Sequence, residues 1–570
     1  MKKTIIKFEQ FGFKYRTQAQ PTLKNIELTI YEGEKVLIVG PSGSGKSTIG
    51  HCLNGLVPFS YKGETEGSLE IKGKEVNSQA LFERSGLVGT VLQDSDGQFI
   101  GLSVGEDIAF SLENNATEQE EMQRRVEGVA ELIEMEPYLS HSVKELSGGQ
   151  KQRVALGGVM VNEVDILLFD EPLANLDPAA GKYAVTLIDD IQKESNKTVI
   201  IIEHRLEDVL YRHVDRIIVM NAGEIVADLP PNELLATSIL EKTNIREPLY
   251  LKALKYAGCT ITPTMKPEHI DTIELKACKE HLRNWFQSRP EGVVHVKQKP
   301  VLEIEDLTFS YDRNKPVLIN LTFSLQKGEM VSIVGENGAG KSTLSSVLCG
   351  FEKPISGEMR VNGLAMTDDT IKERAKRIGL VLQNPNQMIS KHYIYDEVAL
   401  GLYVRGFKEE EIKERVDKVL KVCGLYPFRN WPISALSYGQ KKRVTIASML
   451  VLEPEILILD EPTAGQDYYH YTEVMEFLVE LNKRGVIVVI ITHDMHLMLE
   501  YTSRSIVLNE GRVLMDAPPE EVLTNPAVIK KASLKETSLY ELALKSGISD
   551  PTEFVRRFIA HERKEGRKWR

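Results

Sequence analysis

Two glycine-rich nonapeptides stand out. Gly40-Pro41-Ser42-Gly43-Ser44-Gly45-Lys46-Ser47-Thr48 follows the apolar run Val36 to Val39, and Gly335-Glu336-Asn337-Gly338-Ala339-Gly340-Lys341-Ser342-Thr343 follows Val331 to Val334. Each precedes a stretch able to form a helix. Residue types in this order suit the wrapping of a polyphosphate. Successive backbone N–H groups must approach its oxygens closely, which Cβ atoms would obstruct, and the helix start adds partial positive charge. Lys46 and Lys341 are then placed to meet the β- and γ-phosphates, and Ser47 and Ser342 to hold Mg²⁺. One such peptide is a moderately specific signal. Two copies, each between a buried-strand pattern and a helix start, make a chance match improbable.

Carboxylates recur with the same order. Asp170-Glu171 closes the apolar run Ile166 to Phe169, and Asp460-Glu461 closes Ile456 to Leu459. The first of each pair is placed to hold Mg²⁺ through water, and the second to accept a hydrogen bond from an attacking water as base or orienter. Taken singly, such a residue is most often a strand end or a helix cap; in register with a phosphate loop, the chemical reading prevails. Leu146-Ser147-Gly148-Gly149-Gln150 and Leu436-Ser437-Tyr438-Gly439-Gln440 each precede a basic stretch, Lys151 to Arg153 and Lys441 to Arg443. Each reads as a small-residue helix start offering a hydroxyl and N–H groups to an anion. A plain N-cap serine is the alternative, and recurrence at a fixed distance before the carboxylate strand argues against it.

The elements that position these groups form a repeat. Gln93 to Ser147 and Gln383 to Ser437 both span 54 positions, and Ser147 to Asp170 and Ser437 to Asp460 both span 23. Length differences fall in loops, above all at Pro58 to Glu64 in the first copy. Val164 to Phe169 and Val199 to Ile202 read as strands buried on both faces, which implies a mostly parallel sheet covered by helices. Residues 103–145 and 392–435, richer in helix formers and charge, are expected to form a helical subdomain in each half. The resulting division is a first domain over 1–235, a connector over 236–299 broken by prolines with a helix expected over Ile273 to Phe286, a second domain over 300–530, and an extension over 531–570. Asp550-Pro551-Thr552-Glu553 signals a last helix start. The basic end beyond it, with Arg563, Lys564, Arg567, Lys568 and Arg570, is expected to be solvated.

Composition bounds the rest. At 570 residues, with 42% hydrophobic and 27% charged residues, the chain suits two or more globular domains, each with its own core. A formal net charge of -12 gives no general attraction to nucleic acid, so no nucleic-acid partner is expected. No apolar run approaches the length of a membrane span, and the start lacks the apolar core of a signal peptide. Any membrane role must come through a partner. Cys52, Cys259, Cys278, Cys349 and Cys423 lack metal-type spacing and read as ordinary thiols of a reducing cytoplasm.

Phosphate loop, Gln93 or Gln383, the Ser-X-Gly-Gln segment, carboxylate strand, Ala174-Asn175-Leu176-Asp177 or Ala464-Gly465-Gln466-Asp467, and His204 or His493 stand in the order found in ABC-transporter nucleotide-binding domains. Both halves resemble that family. The resemblance implies an α/β fold of two tandem P-loop NTPase (ABC-type) domains, each with a mainly parallel sheet core, an antiparallel β part and a helical subdomain. It further implies hydrolysis of ATP with Mg²⁺, the two halves pairing head to tail. ATP on Lys341 would then be served by Ser147, Gly149 and Gln150, and ATP on Lys46 by Ser437, Gly439 and Gln440. Tyr15 and Tyr311 match the adenine-stacking aromatic. His204 and His493 match the histidine that contacts the γ-phosphate and, with Glu171 and Glu461, complete the catalytic set. Gln93 and Gln383 match the residue that joins the metal site, with Asp170 and Asp460, to a membrane partner. Tyr438 is the visible departure, where the first half has Gly148.

Leu53 to Pro58, Gln93 to Phe99, and Ile201-Ile202-Glu203-His204-Arg205 resemble the ATPases of energy-coupling-factor importers, as does a connector with Ile245-Arg246-Glu247-Pro248-Leu249-Tyr250. That resemblance implies an energising subunit at the cytoplasmic face of the cell membrane, peripheral to it. Its partners would be a multi-span coupling subunit and a small substrate-capture membrane protein. The cargo would be a vitamin, a precursor such as hydroxymethylpyrimidine or thiamine, or a metal ion such as cobalt. The competing class is a soluble tandem ABC ATPase acting on ribosomes or nucleic acid. It would call for a long basic helical connector, Cys-rich metal modules or long coiled coils, and the sequence shows none of these.

Overall fold

A computed structural model describes residues 2–92, 97–174, 176–289, 299–312 and 315–565. The chain divides into two compact units, Met1–Trp285 with Asp467–Tyr469, and Phe286–Gln466 with His470–Arg570.

The first unit is built on two sheets. Strands β1 (Thr4–Tyr15), β2 (Leu23–Tyr31), β4 (Gly63–Ile71) and β5 (Lys74–Glu75) form an antiparallel sheet in the order β2-β1-β4-β5. Strands β3 (Lys35–Val39), β6 (Val88–Val91), β7 (Ile166–Asp170), β8 (Thr198–Ile202), β9 (Arg216–Asn221) and β10 (Glu224–Leu229) form the order β10-β9-β3-β8-β7-β6. Its pairs are parallel except β10 with β9. The central strands β3 and β8 are buried at every position and carry mostly Val, Ile and Leu, as a strand covered on both faces must. In β1 the register slips between Phe8 and Phe11, so Phe8, Phe11 and Phe13 all enter the core in spite of their uneven spacing.

Five helices complete this unit's working parts: α1 (Lys46–Asn54) after the phosphate loop, α2 (Val104–Asn114), α3 (Gln119–Leu132), α4 (Gly148–Met160) and α5 (Pro178–Ser195). Helices α2 and α3 form the expected helical subdomain, with α2 opened by a capping box between Ser103 and Glu106. The far end of α1 is held by a wholly buried arginine, Arg84, whose guanidinium donates to the carbonyls of Cys52, Val57 and Val76. Three carbonyl acceptors let a cation be buried without a carboxylate.

Residues 236–285 of the connector belong to the first unit. Helix α6 (Leu249–Tyr256) buries Leu249, Tyr250, Leu251 and Leu254, and the Tyr250 hydroxyl donates to the Pro267 carbonyl at 2.7 Å. The helix expected over Ile273 to Phe286 is shorter: α7 runs Lys279–Ser288. Residues 273–278 are irregular because the Glu274 N–H bonds back to the Met265 carbonyl at 2.7 Å, which turns Ile273 and Leu275 into the connector's interior.

The second unit repeats the design. Strands β11 (Pro300–Asp312), β12 (Lys315–Gln326), β14 (Ser356–Val361) and β15 (Leu364–Ala365) form the order β12-β11-β14-β15. Strands β13 (Met330–Val334), β16 (Ile378–Val381), β17 (Ile456–Asp460), β18 (Ile487–Ile491), β19 (Arg504–Asn509) and β20 (Arg512–Ala517) form β16-β17-β18-β13-β19-β20. Its helices are α8 (Lys341–Cys349), α9 (Ile394–Val404), α10 (Glu409–Val422), α11 (Tyr438–Leu450), α12 (Tyr468–Lys483) and α13 (Met495–Tyr501). Arg374 repeats the role of Arg84, donating to Val347 and Met366 carbonyls.

At the end stand α14 (Ser538–Ser546) and α15 (Pro551–Glu565), the latter capped by Asp550, whose carboxylate accepts the Glu553 N–H at 2.9 Å. The basic end departs from its expected solvated state at Arg563. Its guanidinium donates to the carbonyls of Glu500 at 2.9 Å and Thr502 at 2.8 Å, closing the last turn of α13. Arg567, Lys568 and Arg570 lie outside the described residues.

Candidate functional site

In the first unit the loop Gly40–Thr48 joins β3 to α1. Gly45 takes φ 102° at the helix start, and a side chain on Gly40 would collide with the Met220 carbonyl, so the glycines answer to backbone geometry. A side chain on Gly43, φ 75°, would meet nothing within 4 Å, which leaves that face of the loop to a ligand. The Lys46 ammonium donates to the Gly40 and Pro41 carbonyls at 2.8 and 3.0 Å, and burial pulls its pKa down to about 8. A bound polyphosphate would oppose that shift and compete for those protons. The second unit matches: Gly340 takes φ 99°, and Lys341 donates to the Gly335 and Glu336 carbonyls at 2.9 and 2.8 Å. Ser42, Ser47, Asn337 and Ser342 are exposed on the loops.

At the ends of β7 and β17 stand the carboxylates. Asp170 is pushed up to about 6, first by burial and then by Glu171. Its Oδ1 is buried without a hydrogen-bond partner among the described residues. A buried carboxylate oxygen beside a phosphate loop that carries the Ser47 hydroxyl is a hard oxygen set that fits Mg²⁺, whose charge would keep Asp170 ionised. Burial likewise raises Asp460. The following glutamates sit in left-handed backbone, φ 51° at Glu171 and 43° at Glu461. Their N–H groups are pinned to the Ile202 and Ile491 carbonyls at 2.8 and 2.9 Å. Strain held in place by the neighbouring strand is a mark of a working position.

The histidines meet these glutamates. His204 Nε2 lies 2.9 Å from Glu171 Oε1, and His493 Nε2 lies 3.7 Å from Glu461 Oε1. Burial drives the Glu461 carboxyl up to about 8. Glu203, buried and overlooked as a functional residue in the sequence, accepts the N–H groups of His204 and Leu173 at 2.8 and 3.2 Å. Thr492 stands in its place in the second unit and donates to Glu461 at 3.2 Å.

Tyr15 is half-buried, its hydroxyl 3.1 Å from Thr48 Oγ1. It stands against Tyr61, which in turn lies against the His51 ring, centroids 4.8 Å apart. This aromatic group was missed because Tyr61 lies in the loop-like insertion. Tyr311 keeps the hydroxyl contact, 3.4 Å to Thr343 Oγ1, with its ring edge-on to Phe309, and is 64% exposed.

Ser147 and Ser437 are N-caps of α4 and α11. Each accepts the N–H of Gln150 or Gln440, and each glutamine side chain answers to the serine N–H. The N-cap alternative therefore holds as local structure. The box does not use the N–H groups of Gly148 and Gly149, which stay at the helix start with its partial positive charge. Tyr438 donates its hydroxyl to the Gln383 carbonyl at 3.1 Å, and Lys442, wholly buried, donates to the same carbonyl at 2.7 Å. Within the basic stretch Lys441 to Arg443, Lys442 is thus turned inward. Gln93 and Asn175 lie outside the described residues.

Two units, each with a phosphate loop, a strand-end carboxylate pair and a histidine beside the second carboxylate, define the class of nucleoside-triphosphate-hydrolysing P-loop proteins. A family model described as ABC transporter matches residues 23–174 and 318–464, and one described as ATP-binding cassette cobalt transporter matches residues 237–309. A protein of Clostridium perfringens with the provisional name of an ABC transporter ATP-binding protein is 58% identical over 99% of both chains. Relatives so named in Enterococcus faecalis and Photobacterium profundum are 56% identical (99% of both chains) and 54% identical (98% of this chain, 99% of the relative). The solved structure of cbiO1 from Clostridium perfringens, described as part of the ABC transporter complex cbiONQ, is 37% identical with a TM-score of 0.38, covering 41% of this chain and 94% of that one. The chain belongs to the ABC transporter ATP-binding proteins, the ATPases that couple hydrolysis to transport.

Proposed function

We propose that the chain is the energising subunit of an energy-coupling-factor importer for a vitamin, a vitamin precursor or a metal ion such as cobalt. The observation that carries this reading lies mainly in the connector: residues 237–309, which match the ATP-binding cassette cobalt transporter family, take in nearly all of it and the start of β11. Exposed apolar side chains support a membrane partner. Ile100 and Leu102, the latter 84% exposed, follow the first glutamine stretch, and Tyr393 and Val404 are exposed in the second unit. No helix among the described residues is long and apolar enough to cross a membrane, so contact with the bilayer's cytoplasmic face would run through that partner.

In each unit the loop N–H groups and Lys46 or Lys341 bind the phosphates, while Tyr15 or Tyr311 stacks on adenine. Mg²⁺ would be held by Ser47 and Asp170, and by Ser342 and Asp460, with Gln93 and Gln383 expected from the family resemblance to complete the sets; when bound it would neutralise charge on the phosphates. Glu171 and Glu461 orient the attacking water and take its proton, and His204 and His493 hold the transferred phosphoryl group in line. The raised pKa of Glu461 brings a carboxylate base nearer to neutral pH.

The experiment is a pull-down from detergent-solubilised native membranes with the Glu171→Gln/Glu461→Gln double variant held in ATP. Recovery of a multi-span subunit with a small membrane protein is the expected result. Recovery of ribosomes or nucleic acid without membrane protein would replace the importer reading with the soluble one.

A further inference from the structure

Within the first unit a cavity of about 350 Å³ opens between α4 and α5. Leu156, Phe169, Leu187 and Ile188 make its apolar wall, and Arg153 and Tyr183 stand among its polar lining. The volume is at the lower end of small-ligand sites, enough for a fused bicyclic ring. Arg153 lies over the Tyr183 ring at 5.3 Å. Its Nη1 contacts with Glu134 and with the Ile133 and Glu134 carbonyls are long, 3.3–3.4 Å. Glu134 is also claimed by the Tyr183 hydroxyl at 2.7 Å and is largely exposed. A well-placed acid group can therefore displace these contacts at little cost, and the start of α4 favours negative charge beside it.

The second unit carries larger side chains on α12 at the corresponding place. His470 and Val474 replace Ala180 and Ala184, and the His470 ring is 3.6 Å from where a side chain on Gly439 would stand. Glu473 replaces Tyr183 and holds Arg443 at 2.9 Å. The repeat thus supplies a comparison: one copy keeps small alanines and a loosely held arginine, the other has larger side chains at both positions and an arginine tied to a carboxylate.

We propose that this cavity is a binding site for a planar aromatic anion, its ring between α4 and α5 and its acid group on Arg153. Because α4 also carries Ser147 and Gly149, an occupant is expected to change ATP turnover; that consequence rests on the function proposed above, and binding itself does not.

The test is a fluorescence titration of the full-length protein with 1-anilinonaphthalene-8-sulfonate and with its uncharged analogue N-phenyl-1-naphthylamine. A saturable site is expected for both. Ala184→Trp should weaken both probes by about tenfold or more, as loss of the apolar slot requires. Arg153→Gln should weaken the sulfonate by about fivefold and leave the neutral probe within about twofold, as loss of one charge-assisted contact implies. Should the tryptophan variant not fold, Ala180→His/Ala184→Val, which installs what the other repeat carries, decides instead. Unchanged binding of both probes in the filled variants, or equal weakening of both by Arg153→Gln, would overturn the proposal. ATPase rates recorded with the probes bound separate failure of the site from failure of the functional reading.

Discussion

His204 Nε2 stands 2.9 Å from Glu171 Oε1, whereas the matching pair, His493 and Glu461, is 3.7 Å apart. The difference has a local cause. In the first unit Glu203 takes the His204 N–H, and the ring closes on Glu171. In the second, Glu461 accepts the His493 N–H at 2.8 Å and the Thr492 hydroxyl, which hold the carboxylate toward the backbone. The two sites should therefore turn over unequally. Glu171→Gln and Glu461→Gln are each expected to lower ATPase activity with different residual rates, and the double variant by at least about 100-fold, the lower range for a general base. Equal residual rates in steady-state phosphate release would remove the asymmetry.

Tyr438 extends that argument. Its hydroxyl ties the start of α11 to the Gln383 carbonyl at 3.1 Å, a link that Gly148 cannot make in the first unit. Tyr438→Phe should release about 1 kcal/mol of tether, worth about fivefold in an equilibrium. Turnover is expected to rise by up to that factor in Tyr438→Phe and Tyr438→Gly, with ATP affinity unchanged. Slower turnover in both variants would mean that the tether assists the reaction.

Much of this was legible in the sequence because spacing carried it. The loops, strand-end carboxylates and helix starts recur at fixed distances, and the strands that bear them are uninterrupted Val, Ile and Leu. What escaped were charges whose environment is set by distant chain. Lys442 stands in the sequence only as the middle of a basic stretch, and its burial beneath the Gln383 loop is not written there; Arg563 reads as tail, yet it closes α13. Glu203 was visible only as part of a family-like string, because the partner that shows its role, the Leu173 N–H, lies 30 residues away in the sequence and joins the N–H groups of His204 and Arg205 on its carboxylate. A helix was overextended at Ile273 because periodicity cannot see a backbone bond to Met265.

A buried ion pair gives the clearest stability prediction. Lys35 on β3 and Asp189 on α5 bond directly, with side chains 5% and 2% exposed, and Lys193 holds the other carboxylate oxygen at 2.6 Å. Burial lowers the Lys35 pKa even with its partner present. Asp189→Ala should cost about 3–5 kcal/mol, since an ammonium is left buried alone. Lys35→Met/Asp189→Leu should recover most of that loss. Denaturant unfolding followed by tryptophan fluorescence and circular dichroism checks both, and a double variant no better than the single one would assign the loss to packing.

His213 and Glu268 give the pH prediction. The His213 ring meets the connector's Glu268 at 2.7 Å, and that hydrogen bond raises the histidine pKa, with Asp215 adding to it and burial and Lys35 opposing. A histidine whose folded pKa exceeds its unfolded value of about 6.5 stabilises the fold fully below that value, and the contribution fades as pH rises through the folded pKa. The His213 side chain is 67% exposed, so screening keeps the effect below about 1 kcal/mol. The connector should accordingly loosen as pH rises from about 6 to 8.5. Hydrogen exchange of α6, corrected for intrinsic rates, is expected to show this loss of protection in the native protein and a flatter profile in His213→Gln. The same slope in both proteins would mean that another group sets the connector's pH response.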